Sequence, residues 1–146
     1  MILFSTLIAT HVVLTTAGYV GLIAANLWLL MLSHSGNASA LAAGVRSWRR
    51  SARLFGPMLG VGVLAGFALA LTIHVPLGAA WLIATYVLIV FAMGAQGRLM
   101  IPWQFAADAA IARGETVSTR TVTVVLSIFS AAYVAIVTLM LLRPQP

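Results

Sequence analysis

A chain of 146 residues of which 62% are hydrophobic and 7% charged lacks the roughly one-quarter charged content of a soluble domain, which makes it a membrane protein. Its net charge of +6 comes entirely from arginine, seven of the eight lying between apolar runs and only Arg143 beyond the last, so it reads as membrane topology and excludes a nucleic-acid-binding surface. Cysteine is absent, which excludes disulfides and thiolate metal sites and leaves any redox chemistry to a cofactor.

Four apolar runs, residues 2–32, 54–74, 78–97 and 121–142, reach the length of about 20 residues that crosses a hydrocarbon core. They predict an all-α fold, a polytopic four-transmembrane-helix bundle that uses nearly the whole chain as one domain. The first run is longer than a core of roughly 30 Å needs, so it must tilt or protrude. No Lys or Arg precedes it, and it is about twice the length of the apolar region of a secretory signal. It is therefore read as a retained helix despite the small-residue site Ala38-Ser39-Ala40. It ends in SHSGNASA, a Ser/Gly/Asn cluster that breaks helices.

The second run follows Arg46, Arg49, Arg50 and Arg53 and carries Pro57 near its start, where a missing backbone donor is tolerated. Val75-Pro76-Leu77-Gly78 predicts a tight turn. The third helix opens on Trp81, a candidate interfacial anchor. After Arg98, IPWQFAADAAIARG predicts a short helix over about 102–112 along the inner surface, with Pro102 in its first turn and Gly114 as its C-cap. Trp103 and Phe105 would dip into the membrane there, while Asp108 and Arg113 stay in water. The last helix stops at the prolines of LLRPQP.

By the positive-inside rule both arginine-bearing loops face the cytoplasm. This places the protein in the cell (inner) membrane with both termini and the 75–77 turn outside. Arg46, Arg49, Arg50 and Arg53 would also meet anionic lipid headgroups, each worth about 1 kcal/mol near the surface.

Small residues mark where membrane helices approach closely. On the second helix Gly62, Gly66, Ala70 and His74 follow at steps of four; on the first, His11, Gly18 and Ala25 lie seven apart with Thr15 beside them. Counted from the inner ends near Leu32 and Leu54, His11 and His74 stand at about the same height, roughly 30 Å up. Two imidazoles facing each other across antiparallel helices suit the axial positions of haem b. Gly18, Gly66 and Ala70 would make room for the macrocycle, and Arg143 or outer water would meet its propionates. The alternatives are an interfacial His74 beside a turn and a structural His11 bonded to a hydroxyl such as Thr15 or Thr72.

A second constellation sits at the inner end. Met31, His34 and Met58, with Met93 and Met100 near the same level, offer the thioether and imidazole groups that suit Cu(I), although methionine is also an ordinary gap-filler. Asp108 and Glu115 are the only acids, and no phosphate loop, dinucleotide fingerprint, HExxH or nucleophile elbow occurs. Hydrolytic chemistry of the soluble type is excluded.

HVVLTTAGYVGL, with His11 early in the first helix and Gly21 ten positions later, resembles the first helix of the HemJ and CopD group of small membrane proteins. RSARLFGPMLGVGVLAGFAL is similar to that group's second helix, and Trp81 and LMLLRP resemble a related set of uncharacterised, predicted integral membrane proteins. The likeness implies a four-helix layout in which His11 is the group's first-helix histidine, next to haem-dependent protoporphyrinogen oxidation (HemJ) or copper uptake (CopD). A HemJ-like tryptophan seven positions after the histidine is Gly18 here, and a lysine four after the helix-three tryptophan is Thr85. The uncharacterised branch is therefore the nearer match. The sequence thus leads to a haem-b-binding membrane protein for electron transfer or porphyrin-related redox chemistry. Two alternatives stand beside it: a non-catalytic accessory subunit that packs against other membrane subunits or copies of itself, and a copper-related membrane protein.

Overall fold

The protein was analysed as a computed structural model, which describes residues 2–142. Its helices are α1 (Ile2–His34), α2 (Ala38–Thr72), α3 (Ala80–Ala95), α4 (Ile101–Ala112) and α5 (Arg120–Leu142), with a π-helical turn, Gln96–Met100, joining α3 to α4. No strand occurs among the described residues. Four helical stretches are long and apolar enough to cross a membrane: α1, α2, the continuous Ala80–Ala112 and α5. The fold is an all-α four-helix bundle of a multi-pass membrane protein, and its apolar outer surface meets lipid. Arg143 and the closing RPQP lie outside the described residues.

Two elements differ from the sequence expectation. The second helix begins at Ala38 rather than near residue 54, because the arginine-rich stretch is amphipathic. Leu41, Gly44, Val45 and Trp48 are buried along one face at the i, i+3, i+4, i+7 spacing of a helix. The break between α1 and α2 shrinks to Ser35, Gly36 and Asn37. Gly36 turns the chain at φ +68°, and the Asn37 side chain caps α2 by accepting from the Ala40 N–H at 3.0 Å. Pro57 consequently lies inside α2, where it leaves the Arg53 carbonyl without its helical donor.

The second difference is at 102–112, which does not form a separate surface helix but continues from α3 through the π turn. Trp103 is buried and donates its indole N–H to the Ser118 carbonyl at 2.8 Å, while Phe105 is exposed. The reason is tertiary. Arg49 of α2 bonds Gln104 at 2.8 Å and pairs with Asp108, which holds α4 upright against α2. Gly114 then closes α4 at φ +71°, with the Glu115 N–H on the Ala110 carbonyl and the Gly114 N–H on the Ile111 carbonyl. This is the Schellman pattern.

The tightest packing is between α1 and α2, which run antiparallel. A Cβ built on Gly18 would lie 2.7 Å from the Leu59 Cβ, and one on Gly62 would lie 2.6 Å from the Thr15 backbone nitrogen. Gly66 faces His11, Gly21 faces Phe55 and Gly44 faces Leu32, so one register holds along the whole pair. Helix α5 packs on both α1 and α3, and α4 touches α2, but α2 and α3 hardly approach one another. The spans therefore form an arc, α2–α1–α5–α3, with a gap between its ends.

Buried side chains tie this arc together. Tyr19 stacks tilted against Phe129 and Tyr133, joining α1 to α5. Toward the arginine-bearing end, Trp48 donates to Asn26 at 2.7 Å and Asn26 donates to Gln96 at 3.3 Å. That chain links α2, α1 and the π turn through polar groups that hydrocarbon would otherwise strand.

Gly18→Ala and Gly62→Ala should each cost about 1–3 kcal/mol, the range of an overpacked core, because the obstructing atoms are backbone. Gly60→Ala meets nothing within 4 Å and should be neutral or stabilising by up to about 1 kcal/mol from helix propensity. Unfolding of the three variants in mixed micelles measures this, and equal effects at all three positions would contradict the packing.

Candidate functional site: a cleft around His11

The gap between α2 and α3 contains a cavity of about 80 Å³. Its walls are apolar side chains such as Val63, Leu69 and Ile89, Gly66 and Ala70 line the α2 side, and Trp81, Thr85 and Tyr86 line the α3 side. His11 of α1 closes the back, with Met140 of α5 also lining it. No residue of the lining carries an acidic group or a Lys or Arg cation. Phe67 and Tyr86 meet edge to face across the gap, with ring centroids 6.3 Å apart.

The imidazole of His11 is held by the glycine face of α2. Its Nδ1 lies 2.8 Å from the Gly62 carbonyl oxygen, and a Cβ on Gly66 would lie 2.5 Å from both Nδ1 and Cε1. Only glycine lets the ring lie this close to the backbone. Since a carbonyl can only accept, Nδ1 carries a proton and donates it; the neutral ring then presents Nε2 as a bare acceptor. Among the described residues Nε2 has no hydrogen-bond partner. Fixing one ring nitrogen on a carbonyl to orient the other is how proteins aim a histidine at a ligand.

His74 is elsewhere. It follows the end of α2 at φ 56°, exposed, with its N–H on the Leu71 carbonyl and the Val75 N–H on the Ala70 carbonyl. This is the left-handed position of a Schellman cap, one that histidine occupies more readily than bulkier residues do. The register puts Gly66, not His74, level with His11, and eight further residues amount to about 12 Å along a helix. The two imidazoles therefore do not share a site. Gly18 and Gly62 are closed by Leu59 and Thr15, so the stripe provides backbone contact and not a slot for a macrocycle. Of the residues read as a pocket face, Gly66 and Ala70 line the cavity, whereas Gly18 packs against α2.

The inner methionine constellation is also dispersed. Met31 is exposed, and His34 is exposed with its Nδ1 on its own helix at the Leu30 carbonyl, 2.8 Å away. Met58 lies one residue from Leu59, the partner of Gly18, which is about 18 Å along the pair from Met31. Among the described residues no cluster of three His, Asp or Glu could hold a metal. Both acids are paired with arginines: Asp108 with Arg49 and Glu115 with Arg113. The Arg113 guanidinium lowers the Glu115 pKa, so that carboxylate is not poised as a general acid.

Comparison with protein-family models, curated proteins and solved structures gives no match. The geometry of the cleft alone carries its chemistry. Sequence reasoning singled out His11 and the glycines, but it missed the cleft, which exists because two helices do not pack.

Nitrogen-15 spectra of histidine-labelled protein should find His11 protonated on Nδ1 and bare on Nε2; the opposite tautomer would contradict its bond to Gly62. His74→Gly should stabilise the fold by about 1 kcal/mol, because glycine does not pay the left-handed penalty of a β-carbon. A marked loss of stability on that substitution would show a role for the imidazole beyond the cap.

Proposed function

We propose that this chain is an integral membrane binding protein whose ligand site is the cleft between α2 and α3, with His11 as the residue that holds a lipid-soluble molecule. One observation carries this reading: the Nδ1–Gly62 hydrogen bond, which commits one face of the imidazole to the fold and leaves Nε2 for a ligand. An apolar pocket with a few placed polar groups is what recognition of a small hydrophobic molecule requires. By the positive-inside rule the arginine-bearing end is cytoplasmic, which puts the cleft in the outer leaflet. Arg46, Arg50 and Arg53, all exposed, would then lie where anionic headgroups gather.

A haem shared by His11 and His74 does not fit this arrangement. The two rings are on different levels, and the glycine stripe is closed at Gly18 by Leu59 and at Gly62 by Thr15. The Cu(I) set is likewise scattered. A binding role is the function that the residues lining the cleft support best.

The test is to purify the protein in nanodiscs from its host membrane and to extract what comes with it. Wild type should carry a lipid-phase compound, detected by mass spectrometry at close to one per chain, and His11→Ala should lose it at least about tenfold, the worth of a buried hydrogen bond. Gly66→Ala should do the same by displacing the ring, and the unfolding of both variants, measured beside wild type, separates loss of the imidazole from loss of fold. Equal retention in all three would overturn the role of His11. A Soret band that depends on both His11 and His74 would restore the shared haem and overturn the register of α1 and α2. Recovery only in complex with another subunit, with the cleft empty, would favour the accessory-subunit reading.

A further inference from the structure

We infer that the cleft selects an uncharged hydrogen-bond donor, a lipid-soluble alcohol or phenol, and admits it sideways from the bilayer between α2 and α3. This rests on the cleft reading above and specifies the ligand class.

The selection follows from which lone pairs and protons remain. His11 spends its Nδ1 proton on Gly62 and offers Nε2 only as an acceptor. Thr85, almost fully buried in the opposite wall, donates its hydroxyl proton to the Trp81 carbonyl at 2.9 Å, so its oxygen keeps only acceptor capacity. The Tyr86 hydroxyl can play either part and opposes neither. Two acceptors on facing walls favour a ligand that donates, whereas a ketone or ether could draw only on the α3 wall, at Tyr86 or Trp81. The absence of ionic groups from the lining excludes a charged headgroup, because an unpaired charge buried there would be prohibitively costly.

The route follows from packing. Because α2 and α3 scarcely touch, the gap opens among lipid-facing side chains: Leu64 and Leu71 on one bank, Ile83 and Val87 on the other, all at least half exposed. A molecule approaching from water would have to pass the α2–α3 turn, whose Ile73 and Val75 line the cavity. On the lipid side, Phe67 and Tyr86 meet edge to face across the gap, a contact between two side chains and not between backbones.

A matched pair of probes, a para-alkylphenol and its methyl ether, tests the proposal on the full chain in phosphatidylcholine nanodiscs, with affinities referred to the mole fraction in the bilayer. The phenol should bind about tenfold more tightly than the ether, as one hydrogen bond implies. It alone should shift the His11 Nε2 resonance in histidine-labelled wild type, a readout that needs no variant. Thr85→Val should narrow the difference, and Phe67→Ala should speed entry without changing it. Equal binding of the two probes at the cleft would overturn the donor selection while leaving the cleft as the binding site. Binding of neither, with no compound co-purifying from the host membrane, would overturn both.

Discussion

The close approach of α1 and α2 at Gly18, Gly62 and Gly66 is the constraint on which the rest of the molecule depends. Lipid tails give helices no hydrophobic reason to associate, so contact area and hydrogen bonds must do it. Without β-carbons at these positions, backbone meets Leu59, Thr15 and the His11 ring directly. That contact fixes the register of the whole hairpin. It also decides which residue stands level with His11, and so which carbonyl takes its proton.

The same commitment produces the cleft. Helix α2 spends its small-residue face on α1, and α5 bridges α1 to α3, which leaves no comparable face to draw α2 and α3 together. At the arginine-bearing end the gap is closed by polar chemistry: the Arg49 contacts with Gln104 and Asp108, and the Trp48–Asn26–Gln96 chain. At the other end it is bridged by a Schellman-capped turn and one aromatic edge contact. One end of the bundle is therefore pinned and the other open, which suits a site that exchanges a ligand with the bilayer. The π turn at Gln96–Met100 lies in the pinned half, where a widened helix sets Gln96 against Asn26.

The fold class was legible because run length and charge are properties of single segments: four apolar stretches and a near absence of charge admit little else. Relations between segments were less so. Equating the heights of His11 and His74 required the ends of both helices, and α2 starts at Ala38 because an amphipathic stretch containing four arginines escapes a criterion of apolar length. The glycine stripe was readable as a face, yet not which partner it met at each step; His74 continued the spacing of four but falls after the helix has ended at Thr72. The fate of 102–112 turned on Arg49, a residue more than fifty positions away. The cleft had no local signal, since it is the consequence of two helices failing to touch.

Cross-linking in this naturally cysteine-free chain tests the register most directly. Oxidation of the G18C/L59C pair in membranes should form a disulfide rapidly, since the two Cβ positions nearly touch and need only relax to the about 3.5–4.5 Å of a normal bridge. The H11C/H74C pair should stay reduced under the same conditions. Efficient bridging of H11C/H74C with none at G18C/L59C would contradict the register, and with it the placement of His11 against Gly62 at the back of the cleft.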